Sequence, residues 1–180
     1  MSDYMAAEIW IGGKVPASVA PELCAVIASQ CVATEWGDAH FAPESPQDLL
    51  DACKDTSGVA LLWLCDDQAR WGEFDALETF LREHGISYKR RSDGRYEYDA
   101  ELIEYRPERD VVATTTNAEG EPIIPVSKLA AVDAVLDSAQ QARSRSEMLA
   151  ALQAAQQLLR EQLPPNVPPL EPFSIVDDTE

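Results

Sequence analysis

The sequence predicts an α+β domain: a mixed or antiparallel sheet with flanking helices, arranged like a ferredoxin with added hairpins. An apolar run at Val59–Cys65 is typical of a strand that is buried on both faces. A helical repeat at Phe74, Leu77 and Phe80 follows it, and Asp-Gly at 93–94 indicates a hairpin soon after. A strand, a helix and a strand with short links form a βαβ-type unit, whose crossover is expected to be right-handed.

Residues ahead of the apolar run predict two strands and two helices. Gly12-Gly13 closes the first strand, Pro21 fits the first turn of the first helix, and Ser45 fits the N-cap position of the second. The expected elements are strands at 8–11 and 33–36 and helices at 18–31 and 45–54.

Residues after the run predict one helix and a series of short strands. Gly85 is expected to end the helix, because helices commonly end at a glycine in the left-handed conformation. Pro122 and Pro125 favour an edge strand, since proline cannot donate to a ladder. The expected elements are a helix at 71–84 and strands at 86–91, 95–98, 102–105, 111–115 and 123–126.

The last third of the chain changes character. No glycine or proline occurs between Lys128 and Leu163, which predicts one long helix or two helices broken near 144–146. Leucines in this stretch approximate the a/d seam of a coiled coil, with Gln156 between them. The expected division is an α+β domain at 1–127, a helical extension at 128–163 and an acidic, proline-containing tail at 164–180, extended or disordered.

The chain is strongly acidic. It has 32 acidic and 14 basic residues, which give a net charge of −18 and a pI near 4.3. Because such a field repels phosphate backbones, direct nucleic-acid binding is disfavoured. Three interpretations stay open: a solvated surface, an acidic patch for a basic partner, or mimicry of nucleic-acid charge.

The cysteines and the hydropathy of the chain indicate where in the cell the protein is expected. Cys24, Cys31, Cys53 and Cys65 include no Cys-x-x-Cys pair, and their spacing does not fit a zinc site, so no metal or cofactor is expected. No run approaches 18 apolar residues, and the first residues do not resemble a secretion signal. We therefore expect a soluble cytoplasmic protein with reduced thiols and no membrane segment.

Asp66-Asp67 is the nearest approach to a chemical site. Two carboxylates at the end of a buried strand, with Glu73 close by, could hold Mg²⁺ for phosphoryl transfer or a nuclease reaction. The competing interpretation is that these aspartates bind nearby backbone N–H groups in a turn or helix cap. The second interpretation is favoured, so these three residues are weak catalytic candidates.

The region around the expected hairpin balances seven basic with seven acidic residues between Arg82 and Arg109. Tyrosine and arginine are common at the centres of interfaces, whereas cross-strand ion pairing on a solvated sheet is the plainer interpretation. With no catalytic motif in the sequence, we expect a non-enzymatic protein-interaction module, of adaptor or inhibitor type, and a possible homodimer through the C-terminal helix. The candidate partner-binding residues are Tyr88, Arg90, Arg91, Arg95, Tyr96, Tyr98, Leu149, Leu152, Leu159 and Phe173.

Overall fold

The structure, a computed structural model of the protein, describes residues 4–95 and 99–178. In chain order these residues form β1 (Tyr4–Gly12), β2 (Lys14–Pro16), α1 (Ala20–Ser29), α2 (Pro46–Asp51), β3 (Cys53–Thr56), β4 (Val59–Arg70), α3 (Asp75–Glu83), β5 (Ser87–Ser92), β6 (Ala100–Tyr105), β7 (Val112–Thr116), α4 (Val126–Gln140), α5 (Arg145–Gln162) and β8 (Ser174–Val176).

Six strands form one antiparallel sheet in the order β3-β4-β1-β5-β6-β7. Strand β1 lies between β4 and β5 and is antiparallel to both, so α3 joins two parallel strands across it. The sequence from β1 to β5 therefore has the βαββαβ order of a ferredoxin-like fold, and β6 and β7 extend its edge. The α+β class predicted from the sequence is confirmed.

The hydrophobic core lies on the sheet face that α1 and α3 cover. Alternate residues of β1 are buried, among them Ile9 and Ile11, as the two-residue period of a strand requires. Leu62 and Leu64 of β4 face the same core. The helix residues that pack against them are Leu23 and Ile27 of α1 and Leu77, Phe80 and Leu81 of α3.

The opposite sheet face has tryptophans and charged side chains. The Trp63 indole donates to Glu8 Oε2 at 3.0 Å, and Trp36 meets the Trp63 ring edge-on. Lys54 Nζ lies 4.7 Å from the centroid of Trp63, and Lys89 Nζ lies 5.5 Å from that of Trp10. These cation–π contacts cover part of each indole.

Several element boundaries differ from the sequence-based expectations. Strand β4 continues to Arg70, five residues beyond the apolar run, because its pairing with β1 extends from Leu62 to Arg70. The expected strand at 33–36 contributes one bridge, from Ala33 to Cys65, and β3 occupies residues assigned to the end of a helix. Residues 123–126 form no strand, since α4 begins at Val126.

The chain divides into two compact units. The sheet unit contains residues up to Gly120 and from Val167 onward, and the helical unit contains Glu121–Asn166. The helical extension contains two helices and not one long helix. The second helix, α5, begins with a capping box formed by Ser144 and Glu147. Across the described ranges, none of the helices combines the length and the apolar character that crossing a membrane requires.

The tail docks on the sheet unit instead of staying free. Strand β8 pairs in parallel with β2, and Phe173 is buried in the core, with its N–H donating to the Ala60 carbonyl at 2.8 Å. The Asp178 carboxylate accepts from the Ser18 hydroxyl at 2.8 Å. Tail and β1 approach closely at Gly12, where an added Cβ would lie 2.4 Å from the Glu171 carbonyl oxygen.

We predict that Gly12→Ala lowers the free energy of unfolding by about 1–3 kcal/mol, because the new methyl group overlaps backbone that has little room to move. Urea denaturation measures the loss. Amide exchange at 173–176 should quicken in the variant, since the overlap falls on the docked tail. A stability equal to that of the wild type would show that the tail does not pack here.

Candidate functional site

Asp66 and Asp67 lie within β4 and not beyond its end, which corrects the expectation from sequence. Met5 pairs with Ala69 and Ala7 with Asp66, so β4 accommodates an extra residue in a β-bulge. Asp66 Oδ1 accepts the N–H of Gln68 at 2.9 Å, inside this bulge. Its carboxylate therefore binds nearby backbone, but within a strand and not in the turn or helix cap that the plainer interpretation expects.

The surroundings of Asp66 shift its pKa in opposite directions. It is half-buried at a cavity of about 580 Å³, to which Arg70 and Glu73 also contribute, while Asp67 is exposed and does not line it. Burial raises the pKa of Asp66, the Gln68 N–H opposes this, and the charge of Asp67 raises it further. Among the residues that the structure describes, no three His, Cys, Asp or Glu side chains converge closely enough to hold a metal ion.

The candidate hairpin residues divide between the interior and the surface. Tyr88 and Arg90 are buried, which removes their side chains from the surface that the sequence suggested. Arg91 is partly buried, with Nη1 3.7 Å from Glu8 Oε1, and Arg95 is exposed and donates to the Tyr4 carbonyl. Tyr96 and Tyr98 lie outside the described residues.

Tyr88 and Arg90 belong to a buried polar network that joins α3 to β5. Arg90 Nε lies 2.8 Å from Glu78 Oε1, and Arg90 Nη2 lies 2.8 Å from Glu101 Oε2. The Tyr88 hydroxyl donates to Glu78 Oε2 at 3.1 Å, and Arg90 Nη1 donates to the Gly72 carbonyl at 2.7 Å. Burial first, and the Glu78 charge second, raise the pKa of Tyr88. Such a network fixes geometry and is a structural feature of the core.

The cysteines are all unpaired thiols. Cys31 is exposed, whereas Cys65 lies beneath the Ala33 bridge, and burial raises the pKa of Cys65 to about 11. Burial also raises the pKa of Cys53 to about 11. Thiols protonated to that extent are poor nucleophiles near neutral pH, so neither residue is a catalytic candidate.

Helix α5 has two parallel seams. Ala151, Ala155 and Leu158 are its more buried positions and form an inner seam, while α4 packs alongside. The outer seam, one position further along, is Leu149, Leu152, Gln156 and Leu159, followed by Leu163 at the C-cap, spaced alternately by three and four residues as in a coiled coil. Its four leucines are 39–48% exposed, so the predicted residues Leu149, Leu152 and Leu159 lie together on the surface. Phe173, by contrast, fills the core of the sheet unit.

Sequence reasoning missed one cavity. Lys14, Arg106, Arg109 and Glu171 line a space of about 400 Å³ in the sheet unit. Gly12-Gly13 borders it, although the sequence predicts no more than a turn at this segment. The basic residues are some 90 positions apart along the chain, so no local pattern joins them and only the fold brings them together.

Comparison of the chain with models of protein families, with curated proteins and with solved structures finds no match. The geometry of these sites is therefore the basis for any functional conclusion.

We predict that Asp66→Asn stabilises the protein at pH 7. Because the pKa of Asp66 is raised in the folded state, its ionised form opposes folding at every pH above the unfolded value of about 4. The gain in urea midpoint should disappear below about pH 3, where the carboxyl is protonated in both states. Asp110→Asn is the matched control, because Asp110 is exposed and does not contribute to the pKa of Asp66. A midpoint that Mg²⁺ raises in the wild type but not in Asp66→Asn would contradict this account.

Removal of the Glu78 charge should lower the free energy of unfolding by about 2–4 kcal/mol, because Glu78→Gln leaves the buried Arg90 with only one of its two counter-charges, the half-exposed Glu101. Chemical denaturation measures the change. The double variant Glu78→Leu with Arg90→Met should lose less than the two single changes together, since a buried pair is costly mainly when it is broken on one side. Additive losses would indicate that the two groups do not interact.

Proposed function

We propose that the chain is a non-enzymatic protein-interaction module whose helical unit associates with the helical unit of a second copy through the outer seam of α5. The observation that carries the proposal is the coiled-coil spacing of three exposed leucines on α5, with a fourth at its C-cap, on a helix whose inner seam already packs inside its own unit. A row of leucines that is exposed to water is unfavourable, and packing against another helix would bury it.

The small interior of the helical unit supports this proposal. Among its residues, 121–166, the buried hydrophobic side chains are Val132, Ala139 and Ala155, and two of these are alanines. Two helices alone bury little apolar surface and are marginally stable. Two such hairpins joined along their outer seams would form a four-helix bundle, in which each helix has neighbours on two sides.

Charge also favours a second copy as the partner in this unit. Residues 121–166 have five acidic and four basic side chains, a net charge of −1, so the remaining residues carry −17 of the total of −18. Repulsion between copies therefore opposes contact through the sheet units far more than contact through the helical units. A self-associating helical unit would leave two acidic bodies exposed, and in an adaptor or inhibitor these would meet a basic partner.

Gln156 gives the outer seam a means of specificity. One polar residue in an otherwise leucine seam lowers stability but favours the pairing in which its amide finds a partner. In a symmetric pair that aligns the two Gln156 side chains, each amide would donate to the other, whereas an aliphatic partner would leave both unsatisfied. The seam is thus suited to one register.

We predict that the wild-type protein sediments as a dimer at micromolar concentration and that Leu152→Glu with Leu159→Glu sediments as a monomer. Two buried carboxylates in the centre of a leucine seam cost several kcal/mol, enough to raise the dissociation constant at least a hundredfold. Sedimentation equilibrium over a range of concentrations gives the constants.

Ala150→Glu is the matched control, because Ala150 is an exposed α5 residue away from both seams. This variant should remain dimeric, and circular dichroism should show the same helix content in all three proteins. A wild type that is monomeric at 100-fold higher concentration, or a seam variant that dimerises as well as Ala150→Glu, would refute the proposal.

A further inference from the structure

A basic cavity lies among four separate segments of the sheet unit. The segments are the β1–β2 turn, the end of α3, the β6–β7 turn and the docked tail, and the enclosed space is about 400 Å³. Lys14, Ser87, Arg106 and Arg109 line it together with Glu171. None of these residues belongs to the helical unit, so a ligand in this cavity would bind independently of the outer seam of α5.

The charge of this lining is the reverse of the charge of the molecule. Three basic side chains face the cavity against one carboxylate, in a chain of net charge −18. Three other cavities of the sheet unit each have more acidic than basic side chains in their linings. Nothing in the overall charge of the sheet unit brings basic side chains together. The convergence of three of them at this cavity therefore indicates an anionic ligand.

Arg106 is the fixed part of the cavity. Its side chain is 9% exposed, Nε donates to the Pro168 carbonyl at 2.9 Å, and Nη1 donates to the Tyr88 and Tyr105 carbonyls at 2.9 and 2.8 Å. Its nearest carboxylate oxygen, Glu104 Oε1, is 3.7 Å from Nη2, beyond hydrogen-bonding distance. Carbonyl groups therefore orient the guanidinium, and Glu104 offsets its charge only through a long ion pair, so an oxyanion would add a closer counter-charge.

The backbone around Arg106 is held in a costly conformation. Arg106-Pro107-Glu108-Arg109 is a turn closed by the Arg109 N–H on the Arg106 carbonyl at 3.2 Å, with Glu108 at φ +66°. A non-glycine residue in the left-handed region costs of order 1 kcal/mol and persists where the surrounding structure imposes it. The turn brings Arg106 and Arg109 to the same cavity.

We propose that this cavity binds a small phosphate-bearing anion. Arginine and lysine side chains suit a phosphoryl dianion, which needs several donors and more than one positive charge. The lining contains glycine, proline, serine and charged residues but no aromatic ring, so it provides no surface on which a nucleobase would stack. The expected ligand is thus inorganic phosphate or the phosphate group of a small polar metabolite.

Binding would be coupled to the docking of the tail. Pro168 and Glu171 form one wall of the cavity, and the Gly13 N–H donates to the Glu171 carbonyl at 3.0 Å. An anion bound to Arg106 would fix the guanidinium whose Nε donates to the Pro168 carbonyl of this wall. Phosphate should therefore slow amide exchange in the tail as well as bind.

Isothermal titration with inorganic phosphate at constant ionic strength tests the proposal, with sodium chloride as the blank and succinate as a carboxylate dianion. We expect saturable phosphate binding at the wild type, at least fivefold weaker binding at Lys14→Gln and at Arg109→Gln, and little binding when both are changed. Arg70→Gln removes the same charge from an exposed residue outside the cavity and should bind like the wild type. Amide exchange at 168–176 should slow on phosphate addition in the wild type and in Arg70→Gln.

Heats that do not saturate, or equal affinities in Arg70→Gln and in the two cavity variants, would overturn the proposal, since a general salt effect does not depend on Lys14 or Arg109. Succinate that binds as tightly as phosphate would overturn the assignment to a phosphate group. Lys14 and Arg109 are exposed, so their substitution tests binding without disturbing the core.

Discussion

The pairing of Glu78 with Arg90 is the interaction on which the arrangement of the sheet unit depends. Two opposite charges have been removed from water at the boundary between α3 and β5, and such burial is tolerated only when each charge has a partner in fixed geometry. Arg90 also binds the Gly72 carbonyl ahead of α3 and Glu101 on β6. The one guanidinium therefore sets the position of a helix, the turn before it and the neighbouring strand, where apolar packing alone would allow sliding.

Charge is distributed unevenly between the two units. The helical unit is nearly neutral and has leucines on its surface, so association there encounters little repulsion. The sheet unit has a net charge of −17, so its field opposes the approach of other acidic bodies. The cluster of Lys14, Arg106 and Arg109 is an exception to this acidic surface. The net charge of the chain does not predict it, because the net charge does not depend on which side chains lie close together.

Local patterns in the sequence are sufficient for the fold class but not for the positions of the charged groups. The apolar run of β4, the α3 repeat ending at Gly85 and the leucine spacing of α5 are each set by contacts within a few residues, and all three appear in the structure. The burial of Tyr88 and Arg90 depends on Glu78, from another element, so the local pattern of 82–109 wrongly predicts a surface there. The continuation of β4 past Cys65 likewise depends on its pairing with β1, which allows Asp66 to lie within a strand.

The docking of Phe173 has a consequence for how the chain is made. Most of the core cluster that contains this side chain comes from the first 90 residues, and Phe173 follows Ala60, its backbone partner, by 113 positions. At about 5–20 residues per second, a ribosome would add Phe173 on the order of ten seconds after Ala60. Until Phe173 and β8 are added, the core lacks this side chain and β2 lacks its partner strand. Residues 121–166 precede Phe173, so the helical unit is synthesised before the sheet unit can be completed.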